Sequence, residues 1–310
     1  MANLGYLQVS RVCNQRCRFC SNPENDRMIE LLEARRLVDD FVARGYDGVI
    51  LTGGEPTLYP CLAEVIAHAA EARLTPRIVT NGQKTSDFEY FRGLVEAGLT
   101  HLHLSVQTLD RELQGRLTQK PDSLDHIRAT LSHAGQLGVT VDINTTINHY
   151  NAGHLDRTVK GLVKHFPWLH HFVWNNLDPT TNRLAENPDV LAQLWEFEVS
   201  LARAVQFLQR TGRTFRVERV PLCFMPGFEF ASTETRKIVK EEERIVHFLD
   251  DKGMVQQTLW RHGKAPCCAH CRLDAICAGL FEMDKHYDSR PLHAVFVDPE
   301  AVRRKVLEEP

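Results

Sequence analysis

No stretch of the chain stays apolar for the roughly 18 residues that a membrane-spanning helix needs. The opening residues, MANLGYLQVSRVCN, lack the basic start and apolar run of a secretory signal. Neither charge sign dominates, since 37 Lys and Arg stand against 40 Asp and Glu for a formal net charge of −3. A broad positive field able to hold nucleic acid is thereby excluded. Disorder is excluded as well: 43% of the 310 residues are hydrophobic, within the globular range and long enough for one large domain or two. These absences lead to the expectation of a cytoplasmic protein with no membrane and no nucleic-acid partner.

What the chain has in excess is cysteine. Nine are present, at Cys13, Cys17, Cys20, Cys61, Cys223, Cys267, Cys268, Cys271 and Cys277. Most of them fall in two tight clusters, one near each end. In a reducing compartment such clusters read as metal ligands rather than disulfides. Cys61 stands alone at the start of a helical pattern and reads as a packed small hydrophobe.

Up to about residue 175, short strand-like runs alternate with helix-period segments. The strands are expected at Tyr6–Ser10, Gly48–Leu51, Pro76–Thr80, His101–Val106, Thr140–Thr146 and Leu169–Trp174. Between them, Ala34, Leu37, Val38, Phe41 and Val42 recur at helical spacing, with Gly45 as a stop. Leu62, Val65, Ile66 and Ala69 repeat the pattern, as do Leu124, Ile127, Leu131 and Ala134 before Gly138. Serial βα units imply a parallel sheet with helices outside. In a barrel of this kind the site is built by the loops at the C-terminal strand ends.

Those loops carry the chemistry. After the first strand comes Cys13-Asn-Gln-Arg-Cys17-Arg-Phe-Cys20, spaced CxxxCxxC. Three thiolates on one loop can hold three corners of a cubane iron–sulfur cluster, leaving one iron open to a chelating ligand. A structural zinc site normally closes with four ligands, and no further Cys or His follows before Cys61 and His68. Zinc completed from elsewhere in the chain is the alternative. The second strand runs into Gly53-Gly54-Glu55-Pro56, where glycines permit close backbone approach to a ligand and Glu55 can accept from an ammonium group. The third strand ends in Thr80-Asn81-Gly82 and the fourth in Ser105-Val106-Gln107.

Taken together, CxxxCxxC, GGEP and a strand ending in TNG resemble the radical S-adenosylmethionine (SAM) superfamily over roughly the first 175 residues. The resemblance implies a partial (β/α)6 TIM-like barrel with a small C-terminal iron–sulfur extension. It implies a [4Fe-4S] cluster on Cys13, Cys17 and Cys20 whose open iron is chelated by SAM. One electron, from a donor such as flavodoxin or ferredoxin, then cleaves SAM to methionine and a 5′-deoxyadenosyl radical that takes a hydrogen atom from substrate. Carried over to this chain, Phe19 packs near the adenine, and Gly53, Gly54 and Glu55 hold the methionine amino group. Asn81, Ser105, Gln107 and Asn144 belong to the SAM contacts. Arg116 is a candidate for the methionine carboxylate, the alternative being a solvated helix arginine.

Strand alternation points the same way without the resemblance. On the fourth strand Leu102, Leu104 and Val106 share one face and His103, Ser105 and Gln107 the other. The fifth opposes Val141, Ile143 and Thr145 to Asp142, Asn144 and Thr146, and the first puts Gln8 with Ser10. A barrel interior lined by polar groups reads as a ligand cavity, the alternative being a buried hydrogen-bond network.

Downstream, Asp189–Gly212 is expected as one long amphipathic helix, Thr214–Val220 as a strand, and the charged stretch Glu234–Arg244 as a solvated helix face. Cys268, Cys271 and Cys277 form CxxCx5C, and Cys223 brings the set to four, enough for a closed [4Fe-4S] cluster or for zinc. Cys267 is able to replace Cys268, and His270 reads as a bystander. This tail resembles the SPASM and twitch extensions of radical SAM enzymes, with Phe281 where a further Cys would stand, which implies one auxiliary cluster. The expected division is 1–212 for the barrel and 213–310 for the extension.

The substrate is less legible. About a dozen residues precede Cys13 and no cobalamin-binding pattern is apparent, so neither a leader-peptide module before the barrel nor cobalamin chemistry is expected. A ribosomal peptide or a small metabolite fits the resemblance. Phe172-Val-Trp174-Asn175-Asn176-Leu-Asp178-Pro179 is expected to face the cavity, with Trp168 and Trp174 packing. A non-catalytic iron–sulfur or zinc protein is the competing class, one in which GGEP and the polar strand ends have no purpose.

Overall fold

The computed structural model describes residues 3–22, 25–180 and 182–308. Its first half alternates strand and helix: β1 (Leu4–Ser10), α1 (Leu31–Ala43), β2 (Gly48–Gly53), α2 (Leu62–Glu71), β3 (Thr75–Thr80), α3 (Phe88–Glu96) and β4 (His101–Ser105). Then follow α4 (Arg111–Thr118), α5 (Ser123–Leu137), β5 (Thr140–Ile147), α6 (His149–Ala152), α7 (Leu155–His165) and β6 (His171–Asn176). The second half adds α8 (Asn182–Glu186), α9 (Leu194–Arg210), β7 (Thr214–Glu218), α10 (Thr233–Lys240), β8 (Arg244–His247), β9 (Met254–Gln257) and α11 (Pro299–Glu308).

One sheet holds all nine strands in the order β7-β6-β5-β4-β3-β2-β1-β8-β9. Every pairing is parallel except the terminal hairpin-like β8–β9 pair. The expected βα series is therefore present, and three more strands extend it. Helix faces bury as their period dictates: Ala34, Leu37, Val38 and Phe41 on α1, Leu62, Val65, Ile66 and Ala69 on α2, and Leu124, Ile127, Leu131 and Ala134 on α5. Val42 has drifted off the α1 stripe and is exposed. Gly138 ends α5 at φ 69°, the left-handed cap that glycine tolerates.

Most strand ends move by one or two residues from expectation, and two boundary shifts have plain physical reasons. β6 starts at His171 rather than Leu169, because Leu169 N–H bonds Phe166 O in the turn after α7. Phe172 and Trp174 are then fully buried outside the sheet while Val173 and Asn175 face inward. The long helix starts at Leu194 rather than Asp189: Pro188 opens a separate 3-10 turn, and Gln193 with Glu196 forms a capping box that fixes the α9 start.

The stretch Glu234–Arg244 is not a solvated helix face. Glu234, Thr235 and Arg236 on α10 are buried, and Arg244 opens β8. Each buried group is occupied: Glu234 accepts from Arg219 N–H (2.8 Å), and the Thr235 hydroxyl donates to Ile276 O (2.9 Å). Burying charge without such partners would be costly. Glu218 on β7 and Arg244 on β8 lie 3.5 Å apart although their strands stand toward opposite ends of the sheet order, so the sheet curls into a barrel whose seam this pair bridges. Arg244 also lies over the rings of Tyr6 and Trp260.

Candidate active site

The cysteine loop leaves β1 and is pinned from below by α4: Arg16 N–H bonds Thr118 O (3.2 Å) and Arg18 N–H bonds Leu117 O (2.9 Å). Its sulfurs sit among amide donors. Gln15 N–H approaches Cys13 Sγ at 3.4 Å, Asn22 N–H approaches Cys20 Sγ at 3.3 Å, and the Asn81 amide approaches Cys13 Sγ at 3.8 Å. Burial pushes the Cys13 thiol up to about 11, with Glu55 and Cys20 adding to the effect, and raises Cys17, where the other two thiols add to it; at Cys20 burial alone raises the thiol. Three neighbouring thiols that all resist ionisation have no net use for one another; a cation that takes them as thiolates relieves the conflict and releases their protons.

The GGEP turn packs against this loop. Gly54 N–H bonds Ser10 O (2.6 Å) and Glu55 N–H bonds Val12 O (2.8 Å). Gly53 has φ 134°, and a Cβ there would lie 1.9 Å from Ser10 O. A Cβ on Gly54 would lie 2.4 Å from both Arg11 O and Val12 O. The two glycines thus admit the cysteine loop itself, which is a nearer reason for them than approach to a ligand. Gly53→Ala is expected to destabilise the fold by about 2–4 kcal/mol, read as a lower urea midpoint. A midpoint equal to wild type would mean the turn is not strained.

Glu55 is less free than its sequence position suggested. It is buried, with Oε1 accepting from Thr57 N–H (3.1 Å) and from the hydroxyls of Thr57 (2.6 Å) and Thr80 (2.7 Å). Oε2 accepts from Asn81 N–H (2.8 Å). Burial raises its pKa against those bonds. Oε2 therefore keeps acceptor capacity while Oε1 is committed to holding the β2 and β3 ends together.

A cavity of about 220 Å³ gathers Cys13, Cys17, Cys20, Phe19, Gly53, Gly54, Glu55, Asn81, Ser105 and Gln107. Neither histidine nor a fourth cysteine lines it among the described residues. The donor set thus fits a cluster with one corner left to a ligand, and does not complete a four-ligand zinc site. Two expected SAM contacts, Arg116 and Asn144, are not among the residues lining this cavity. Arg116 stacks on the Tyr150 ring at 4.4 Å and lines neither this cavity nor the one below, because α4 turns it toward α6. Asn144 pairs with Asn175 and lines the second cavity, beside its register partner Ser105, which lines the first.

This second cavity, about 420 Å³, fills the barrel and shares Phe19, Ser21, Val79 and Thr146 with the first, so the two are contiguous. Asn175, Asn176, Leu177 and Asp178 line it, as the 172–179 run suggested. Much of its charge was not foreseen: Arg216, Arg219, Arg236, Lys237 and Arg244 oppose Asp178, Glu218 and Glu242. Alternation on β7 carried the signal for two of them, since Arg216 and Glu218 flank buried Val217. Burial together with Glu218 raises the Glu234 carboxyl to about 7, whereas Arg244 and Arg219 override burial and hold Glu218 low. Burial also takes His103 and His171 down to about 4, so both rings are neutral near pH 7.

The C-terminal cysteines form a second group. Cys223, Cys268, Cys271 and Cys277 line one narrow cavity with Lys264 and His293. Cys267 does not line it; its thiol donates to Leu292 O (3.4 Å). Val295 N–H approaches Cys271 Sγ (3.3 Å) and Gly279 N–H approaches Cys277 Sγ (3.4 Å). Burial pushes the Cys223 thiol up to about 12. Lys264 knits the loop by donating to Asp274 O, Asp274 Oδ1 and Cys277 O. Four thiols around one point fit a closed cluster or a tetrahedral zinc. His270 is exposed, and Cys61 caps and packs α2.

Residues 7–162 match the family described as the radical SAM superfamily. Among curated proteins, a GTP 3′,8-cyclase of Chlorobaculum tepidum is 33% identical over 150 residues, covering 45% of this chain and 43% of the relative. A PqqA peptide cyclase of Methylorubrum populi is 30% identical over 203 residues, covering 61% of this chain and 50% of the relative. The chain thus spans half or less of these curated relatives. Among solved structures, Streptococcus suis SuiB bound to S-adenosylmethionine superposes with TM-score 0.66 at 19% identity, covering 93% of this chain and 77% of that one. This last likeness is one of fold.

Proposed function

The chain belongs to the radical SAM superfamily of enzymes, and on that premise we propose that it cleaves SAM at the Cys13–Cys17–Cys20 loop and uses the product radical on a substrate held in the barrel. The observation that carries this reading is the contiguity of the cysteine cavity with the larger barrel cavity through Phe19, Ser21, Val79 and Thr146. When bound, the cluster supplies the single electron that splits SAM into methionine and a 5′-deoxyadenosyl radical able to take a hydrogen atom.

The chain's own residues have definable tasks. Cys13, Cys17 and Cys20 hold three corners of the cluster, and the amide donors on Cys13 and Cys20 offset the charge of their thiolates. Glu55 offers its remaining Oε2 capacity to the methionine ammonium, while Gly53, Gly54 and Asn81 shape that end of the cavity. Ser105 and Gln107 supply polar groups further along the same wall. Phe19, at the junction of both cavities, serves the adenine face. The Glu218–Arg244 seam closes the side of the barrel and limits water around a reactive radical.

Glu55→Gln tests this arrangement. The isosteric amide loses the charge and sets an NH₂ group either against the three donors on Oε1 or against the Asn81 N–H on Oε2. The expected outcome is SAM affinity weaker by about 1–3 kcal/mol, with some loss of fold stability. SAM affinity equal to wild type in calorimetry would remove Glu55 from the binding site.

For substrate we propose a ribosomal peptide or a small metabolite, held in a cavity walled by both signs of charge, where Asp178, Glu218 and Glu242 pair with Arg219, Arg244 and Lys237. Residues 213–310 are proposed as the auxiliary-cluster extension, with Cys223, Cys268, Cys271 and Cys277 holding a second [4Fe-4S] cluster. β7, β8 and β9 of that extension also complete the barrel sheet, so it doubles as a wall of the substrate cavity. A reduced flavodoxin or ferredoxin is the proposed electron donor.

A further inference from the structure

A cluster of ligand-type side chains lies inside the barrel, apart from both cysteine groups. β4 carries His101-Leu102-His103, which sets two imidazoles on one face of one strand. Asp142 on β5 is the register partner of His103. Its Oδ2 lies 2.8 Å from His101 Nε2 and 3.4 Å from His103 Nδ1. The two rings stack at 5.0 Å between centroids. One ligand atom from each of the three residues falls within 4.8 Å of the other two.

These contacts are close without being satisfied. His101 Nε2 contacts the Asp142 carboxylate at 2.8 Å without forming a well-aligned hydrogen bond. His103 Nε2 is buried and has no partner. Buried polar atoms are normally paired, so a partnerless His103 nitrogen and a poorly aligned His101 nitrogen beside one buried carboxylate require an explanation. His171 on β6, the register partner of Asp142, gives a contrast: its Nδ1 is paired with the Thr214 hydroxyl at 2.7 Å.

We propose that His101, His103 and Asp142 bind one divalent first-row transition ion inside the barrel. Two imidazoles and a carboxylate form a nitrogen–oxygen set suited to Mn(II), Fe(II) or Zn(II), unlike the all-thiol groups elsewhere in the chain. Three protein ligands leave further coordination positions for water or an oxygen of a bound molecule. His103 is also a wall residue of the 420 Å³ cavity, so the ion borders the space assigned to substrate. None of the three residues lines either cysteine cavity. The competing arrangement is a plain charge network in which Arg77 on β3, the register partner of His101, compensates Asp142 with no ion present.

Mn(II) titration of the oxidised, cluster-loaded protein, followed by the EPR signal of free Mn(II), separates the two. Oxidised [4Fe-4S] clusters are EPR-silent and thiolates compete poorly for Mn(II). One equivalent per chain is expected to bind, and Zn(II) is expected to displace it in keeping with the order of divalent affinities. His101→Gln, His103→Gln and Asp142→Asn should each weaken uptake by at least about tenfold while iron content and cooperative unfolding persist. Three single variants guard against one of them failing to fold. Absence of Mn(II) uptake by the wild-type protein overturns the proposal, as does uptake that survives all the folded variants unchanged. The readout does not involve SAM, so it stands or falls separately from the proposed activity.

Discussion

Cys17→Ala is expected to lose the iron of one cluster, about four atoms, and all SAM cleavage. Cys17 is set deep in the loop, and burial raises its pKa well above the ordinary thiol value. Once ligated as a thiolate it anchors the middle of the loop between Cys13 and Cys20, where α4 pins the backbone at Arg16 and Arg18. Alanine leaves two thiolates and a void in a buried wall, and two thiolates cannot keep a cubane with an open corner. The cost falls on cofactor retention more than on the fold, since the helices that hold the loop do not depend on the sulfur. Iron and sulfide analysis with 5′-deoxyadenosine quantification measures it. Wild-type turnover in this variant would mean that the loop does not carry the reactive cluster.

Cys271→Ala is expected to remove about four irons from the C-terminal group while the SAM-binding cluster stays loaded. Cys271 shares its cavity with Cys223, Cys268 and Cys277, and Cys223 lies far upstream of the other three. Ligation therefore closes a long loop and ties the segment after β7 to the C-terminal tail, a clip whose removal loosens that region. Product formation should stop, while SAM cleavage uncoupled from product survives. The wild-type protein should contain about eight irons, four per site. One zinc with about four irons would instead assign the C-terminal site a structural role.

The barrel was legible because its signals are local. Alternation on β4 separated buried Leu102 and Leu104 from inward His103 and Ser105, and it held on β7 as well. Cysteine spacing grouped thiols that the fold also brings to shared cavities, except Cys223, which joins the second group from far upstream. What escaped depended on partners distant in sequence. Glu234 and Thr235 read as solvated because nothing nearby in sequence signals Arg219 and Ile276 as their partners. Arg116 was placed by loop position, but the Tyr150 ring of α6 draws it away. The choice between Cys267 and Cys268 turns on one residue of 3-10 turn, which sends Cys267 to Leu292 O and Cys268 into the cavity. Glu55 was seen as a ligand group, but its ties to Thr57, Thr80 and Asn81 join two strand ends that only the fold brings together.

The most direct measurement is anaerobic reconstitution with iron and sulfide, followed by dithionite and SAM and chromatographic assay of the products. The expected result is reductant-dependent formation of 5′-deoxyadenosine and methionine by the cluster-loaded protein, and none by the iron-free form. Fully loaded protein that binds no SAM, or binds it and yields no 5′-deoxyadenosine under reduction, would contradict the assignment of the Cys13–Cys17–Cys20 loop to SAM cleavage.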